Sequence, residues 1–250
     1  MISIQEILRV YDKVELGQLD SVKLLNRVDT KFITKAGLLS DLLLVLQKDY
    51  LVLEVNEHRI SHYKTVYFDT PDFFYYYQHQ TGRLERVKIR IRTYLETGIS
   101  FLEIKTKNNH SKTNKDRIPI SGVKDLCDVK YKKFLRKKTD KKKVLNPVLE
   151  VLYSRITLVN KDFTERVTID TDLSYKNEEK NVQFPNLCII ELKQDKTAKS
   201  PVREILREKR IFVSSLSKYC LGIASMYPQV KKNNIKEKIR NINKICYEHA

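Results

Sequence analysis

The sequence predicts an α+β fold: a closed antiparallel β-barrel of about eight strands forming a basic tunnel, with helices surrounding it. Three observations lead there. The stretch 85–107, ERVKIRIRTYLETGISFLEIKTK, reads as a hairpin, because two alternating runs flank Glu96-Thr97-Gly98. Lys88, Arg90 and Arg92 share one face of its first run and Glu103, Lys105 and Lys107 one face of its second, each opposite apolar residues. The same alternation of charge and grease recurs in other runs. Finally, six Gly and six Pro are few, and leucine-rich helical segments are at hand to cover an apolar exterior.

In chain order, Ile4, Ile7, Leu8 and Tyr11 fall at helical spacing and predict one or two short helices within 2–25. Run 26–33, NRVDTKFI, sets Arg27, Asp29 and Lys31 on one face and Val28 and Phe32 on the other. Segment 36–47, AGLLSDLLLVLQ, predicts a buried helix, and 50–55 and 59–69 predict strands. The second of these ends in VYFDTPDF, where Pro71 after a Thr70 cap predicts a helix over 73–79 whose aromatic cluster packs on the sheet. Beyond the hairpin, 108–114 is a polar loop, and Lys115 and Arg117 precede Ile118 and Ile120 on a further strand. Segment 130–143, KYKKFLRKKTDKKK, is the densest charge run and reads as a solvated helix face.

Three more strands repeat the pattern. Over 150–158, Tyr153 and Arg155 oppose Leu152 and Ile156; over 165–173, Arg166, Thr168 and Asp170 oppose Val167 and Ile169; over 187–194, Glu191 and Lys193 oppose Ile190 and Leu192. A basic helix is expected over 201–210. Another is expected over 213–226, whose start carries Ser214, Ser215, Ser217 and Lys218 and offers backbone N–H groups to an anion. Ile235, Ile239, Ile242 and Cys246 give the tail helical spacing. The chain divides into an N-terminal helical segment (1–25), a barrel domain (26–228) and a basic C-terminal helix or tail (229–250).

Charge narrows the partners. Lys and Arg number 48 against 31 Asp and Glu, a net charge of +17, which favours a polyanion: nucleic acid, anionic membrane or phosphorylated ligand. No helix-turn-helix, zinc-finger, RNP or P-loop pattern is present, so specific nucleic-acid binding ranks last. The early charges of MISIQEILRV, and the lack of any stretch near the roughly 18 apolar residues of a membrane span, predict a soluble cytoplasmic protein, with any membrane association made through a partner protein. Cys127, Cys188, Cys220 and Cys246 are scattered without metal-ligand spacing and are expected to be reduced, mostly buried thiols.

One charged strand face alone is ordinarily a wet surface. Repeated on neighbouring strands, it can instead line a barrel interior just large enough for side chains or one narrow ligand. Burying many like charges costs several kcal/mol per ion, so such a lumen must stay hydrated or hold a polyanion. Arg forks grip phosphate in bidentate fashion and Lys supplies point charges, so the pattern describes a phosphate-chain site.

The order RxDxKF, YFDT, KIRIR, LEIK, KxR, YxR, ERVTID, IIELK and SxxSKY, over residues 26–219, resembles the VTC domain, the polyphosphate polymerase branch of the triphosphate tunnel metalloenzyme (CYTH-like) superfamily. That resemblance implies a metal-dependent phosphotransferase that adds the γ-phosphoryl group of ATP to a growing polyphosphate chain. It places Lys31, Arg90, Arg92, Lys105, Arg155 and Arg166 at the reacting phosphates. Arg27, Lys88, Lys107, Lys115, Arg117, Tyr153, Lys193, Ser217 and Lys218 are the expected substrate contacts. Glu191 is the expected ligand of Mn2+ or Mg2+, with Glu103, Asp29 and Asp170 as helpers. For Glu103 a salt bridge orienting Lys105 or Arg90 is the preferred role. ATP and polyphosphate or triphosphate are the implied partners, with a membrane protein as a further one.

Hydrolase and cyclase relatives open with Glu-x-Glu-x-Lys, where this chain has Arg27, Asp29 and Lys31. Phosphoryl transfer depends chiefly on positioning and charge neutralisation, and a phosphate acceptor is already deprotonated, whereas water asks for more metal ligands. A basic lumen with few carboxylates therefore favours a transferase. The alternatives are a tripolyphosphatase or nucleoside triphosphatase of the same superfamily, and a non-catalytic polyphosphate- or nucleotide-binding module.

Overall fold

The computed structural model describes residues 2–20, 27–108, 113–139, 143–195 and 200–247, with the backbone alone at 20, 27 and 195. The helices are α1 (Ile4–Arg9), α2 (Leu16–Asp20), α3 (Leu39–Leu46), α4 (Phe74–Gln80), α5 (Val129–Arg136), α6 (Pro201–Glu208), α7 (Lys218–Met226) and α8 (Lys236–Tyr247). The strands are β1 (Lys13–Val14), β2 (Arg27–Lys35), β3 (Tyr50–Leu53), β4 (Ser61–Asp69), β5 (Arg86–Tyr94), β6 (Ser100–Lys107), β7 (Thr113–Pro119), β8 (Asn146–Asn160), β9 (Glu165–Lys176), β10 (Asn181–Phe184) and β11 (Leu187–Asp195).

All strands belong to one sheet, whose main path runs β2-β11-β9-β8-β4-β5-β6-β7 with antiparallel neighbours throughout. The expected closed barrel is not formed: among the described residues no hydrogen-bonded ladder joins β7 back to β2. The physical reason lies at the two edges. The outer edge of β2 is occupied by the chain before α7, where Ser214 N–H donates to Lys31 O at 2.8 Å and Val213 bridges Phe32. That contact also holds residues 213–217 out of helix, so α7 begins at Lys218 rather than at 213 as the sequence suggests. At the other edge β7 is mostly exposed and carries Lys115, Arg117 and Pro119, a composition that discourages further pairing.

The sheet curls so that its two faces meet different partners. The outer face buries Phe32, Ile156, Leu158, Val167, Ile169, Ile190 and Leu192 beneath α1, α3 and α6. α6 starts as its sequence dictates, with Ser200 accepting from Arg203 N and Pro201 in the first turn. A second outer cluster, with Ile89, Ile91 and Leu102, is covered by Tyr131, Phe134 and Leu135 of α5, which leaves the lysines of the basic run on that helix exposed.

The inner face is only partly charged. Leu149, Val151, Leu173, Tyr175 and Ile189 project into it and are packed by α7 and by Ile242 and Cys246 of α8, so the C-terminal tail docks on the domain. α7 comes this close because residue 222 is glycine: a Cβ there would meet Leu149 and lie 2.6 Å from Tyr175. Buried Asp69 at the end of β4 ties this region to α4. It accepts from Thr70 N, Tyr75 N and Tyr76 N at 2.8–2.9 Å and from the Tyr219 hydroxyl of α7. The Asp of YFDT thus does the N-terminal capping, supplemented by Thr70 Oγ1 accepting from Phe74 N.

Candidate active site

The register of β4–β7 stacks the inner-face residues in rows. Lys88, Lys105 and Lys115 pair across β5, β6 and β7; Tyr67, Arg90, Glu103 and Arg117 form the next row; Thr65, Arg92 and Phe101 the next; Tyr63 pairs with Tyr94 beyond them. On the opposite wall Asp29, Lys31, Glu191, Lys193, Arg166, Thr168 and Asp170 follow from the β2-β11-β9 register. The walls are close enough for their cations to interact. Lys88 is pushed below its usual range by burial first and by Lys31 among the nearby cations, and Lys105 is pushed down to about 7 by burial and then by Arg90 and Lys193. Lys105 is exposed as a whole residue, which limits the burial effect.

Three inner-face carboxylates, Glu103, Asp170 and Glu191, are each gripped by more than one cation. Glu103, fully buried, accepts from Arg90 Nε at 2.7 Å and pairs with Lys115; burial alone would raise its pKa, but Arg90, Arg92 and Lys115 hold it down to about 2. Asp170 takes the Arg155 fork in two bonds, 2.6 Å from Nε and 2.8 Å from Nη2, and pairs with Lys218 as well. Those cations outweigh burial and keep it well below the usual carboxylate range. Glu191 accepts from Lys193 at 2.5 Å and faces Lys31 at 3.8 Å, and is likewise held down to about 2 against the effect of burial. Lys193 also reaches Asp29 at 3.0 Å, so one ammonium bridges two carboxylates on neighbouring strands.

Several inner-face polar atoms lack such partners. Thr168 Oγ1 on β9, Tyr153 Oη on β8, Thr65 Oγ1 on β4 and Arg92 Nε on β5 are buried with no hydrogen-bond partner among the described residues. They sit on four consecutive strands of the path. Unpartnered buried donors cost about 1–3 kcal/mol each, a cost that an anion in the groove would relieve. A cavity of about 840 Å3 opens at one end of the groove, where Lys31 and Lys88 meet Arg86, Lys238, the hydroxyls of Ser214, Ser215 and Ser217 and the start of α7. Lys88 Nζ donates to Ser217 Oγ there at 3.0 Å, and Ser217 caps α7 by accepting from Cys220 N.

Of the residues singled out in the sequence, Lys31, Lys88, Arg90, Arg92, Lys105, Lys115, Tyr153, Arg155, Glu191, Lys193, Ser217 and Lys218 gather along this groove. Arg166 is at its inner-face register position opposite Lys193. Lys107 and Arg117 stand at the β6 and β7 side, where Arg117 lies 4.7 Å over the Phe101 ring. Arg27 enters only through its backbone pairing with Asp195, its side chain being outside the described residues. Tyr63 and Tyr67 escaped the charge-based reading although their parity with Thr65 marks them. Tyr67 Oη accepts from Arg90 at 3.2 Å, and Tyr63 stacks on Tyr153 with centroids 5.0 Å apart.

Among the described residues no three His, Cys, Asp or Glu side chains gather as a metal-ion site. Glu103 and Asp170 are committed to Arg90 and Arg155. Asp29 and Glu191, already sharing a cation, fit a hard divalent ion that takes its remaining ligands from phosphate oxygens, the usual donor set for Mg2+ at phosphoryl sites.

A candidate adenylate cyclase of Bacillus halodurans superposes with a TM-score of 0.51 at 14% identity, covering 81% of this chain and 97% of its own. A candidate adenylyl cyclase of Hippeastrum, described as having a dominant triphosphatase activity, follows at 0.49 and 15%, covering 80% and 96%. No curated protein matches the sequence. The VTC domain model matches residues 26–227, most of the chain and every element of the curled sheet from β2 to α7, and the protein therefore belongs to the VTC domain family.

Proposed function

We propose that the protein is a polyphosphate polymerase, transferring the γ-phosphoryl group of ATP to the end of a polyphosphate chain held in the basic groove. The observation that carries this reading is the state of the carboxylates. Glu103, Asp170 and Glu191 are each neutralised by two or more cations and held far below neutrality, so each is a poor base at pH 7. Water would need such a base. A terminal phosphate oxygen does not, because it is already ionised.

In this reading the acceptor oxygen attacks the γ-phosphorus, the bond from that phosphorus to the bridging oxygen breaks, and its electron pair leaves with ADP; no proton changes hands. Asp170 and Glu103 present the Arg155 and Arg90 forks to equatorial oxygens, while Lys31, Lys88 and Lys105 supply charge along the chain. A divalent ion, Mn2+ or Mg2+, held by Glu191 and Asp29 would add neutralisation of phosphoryl oxygens. Incubating the pure protein with ATP and Mn2+ tests the reading: long-chain polyphosphate and ADP are expected. Free phosphate alone would assign a triphosphatase instead. Glu191→Ala should abolish turnover while largely sparing anion binding, and a wild type that binds but never turns over would be a non-catalytic module.

A further inference from the structure

The inner-face rows change character along the groove. At the cavity end the row is lysine on three adjacent strands, Lys88, Lys105 and Lys115. Away from that end the face turns aromatic: Tyr94 on β5, Tyr63 on β4 and Tyr153 on β8 share a row, and Phe101 on β6 stands in the neighbouring row beside Arg92. These rings touch in series, Phe101 to Tyr94 at 6.2 Å and 89°, Tyr94 to Tyr63 at 5.1 Å and 59°, Tyr63 to Tyr153 at 5.0 Å and 5°. Guanidinium groups lie over three of them, Arg117 over Phe101 at 4.7 Å, Arg92 and Arg155 over Tyr63 at 5.4 and 5.1 Å, and Arg155 over Tyr153 at 5.3 Å.

Core packing accounts for Tyr63 and Tyr153, which are buried. Tyr94 leans on that same core but stays half-open, and Phe101, also half-open, belongs to no buried cluster of the described residues. Nothing about a bare phosphate chain calls for rings, because its oxygens want only donors and cations. Aromatic faces flanked by guanidinium planes are the surface on which a planar nitrogen heterocycle stacks.

We infer that the Tyr94–Phe101 end of the groove is a nucleobase platform, which seats the purine of a nucleoside triphosphate so that its phosphates run past Arg92 and Arg90 toward the lysine end. The inference rests on the phosphate reading above and adds a direction to it. The nucleotide lies with its base at the aromatic end, and the 840 Å3 cavity at the lysine end is left to the other phosphate species. The platform grips purines by stacking, so it distinguishes nucleotide from inorganic triphosphate without reading a particular base edge.

Calorimetric titration of the full chain with ATP and, separately, with inorganic triphosphate tests it. The wild type should bind ATP more tightly than inorganic triphosphate. Tyr94→Ala and Phe101→Ala should each weaken ATP by roughly 5- to 150-fold, the range of one lost stacking contact. Both should leave inorganic triphosphate within about twofold, which also verifies folding, and Tyr94→Phe should restore ATP binding. Equal loss for both ligands would overturn the platform by showing that the rings only shape the groove, and so would no loss for ATP. Binding of inorganic triphosphate with no preference for ATP would also overturn it while leaving the phosphate reading intact. Binding of neither by the wild type would overturn both.

Discussion

Replacing Glu103 by Gln removes the one negative charge between Arg90 and Lys115 while keeping the side chain's shape. The carboxylate is fully buried, so its attraction for those cations is little screened. The depression of its pKa from 4.5 to about 2 corresponds to about 3 kcal/mol of native-state stability, at the lower edge of the 3–5 kcal/mol seen when a buried ion pair loses one partner. The sign follows from the direction of the shift. A carboxylate lowered on folding stabilises the native state above its unfolded value and loses that effect as pH falls through its folded value. Wild type and Glu103→Gln should therefore differ by about 3 kcal/mol at pH 7 and by only about 1 kcal/mol at pH 3, converging when pH lies below both values. Urea denaturation followed by circular dichroism at the two pH values measures the gap. A gap under about 1 kcal/mol at pH 7, or one equal at both pH values, would refute the account of Glu103 as the clamp of this row.

The groove supports three more expectations. Lys193→Gln removes the ammonium that occupies the space between Asp29 and Glu191, so Mn2+ affinity, read from the free-ion electron paramagnetic resonance signal without nucleotide, should rise by at least about tenfold; unchanged or weaker binding would mean that Lys193 serves to hold the carboxylates in place. Lys105, brought down to about 7, loses charge as pH climbs through that value, so tripolyphosphate affinity should weaken between pH 6 and 8 more steeply in the wild type than in Lys105→Gln. Gly222→Ala forces a methyl group against Leu149 and Tyr175 and should cost about 1–3 kcal/mol or more, seen as a lowered melting temperature with anion binding lost only on unfolding.

Strand alternation was legible because the charged residues that line the groove keep strict parity. The hairpin at 85–107 appears as β5 and β6 with Arg90 opposite Glu103, and Arg155 stands opposite Asp170 on β8 and β9. Parity failed where the backbone breaks step. The register shifts between Leu152 and Ser154, and Asp172 takes a positive φ of 53°, so the end of β9 turns Leu173 and Tyr175 into a face expected to carry only charge. Closure could not be read either, since the competitor for the β2 edge is a backbone N–H at Ser214, and backbone groups leave no mark in a pattern of side chains. The tyrosines of β4 were visible in sequence but carried no charge to announce them; their meaning came from the arginines that the fold lays beside them.

A sheet whose edges are not laced together has no fixed circumference. In a closed barrel the bore is set by strand number and stagger, and no change in solution conditions can alter it without breaking hydrogen bonds. Here side chains pack the walls under α7 while like charges face one another across the groove, Lys31 with Lys88 and Lys193 with Lys105. Salt or a bound polyanion shields that repulsion. An open edge therefore leaves the width of the groove to side-chain packing and charge rather than to strand number and stagger.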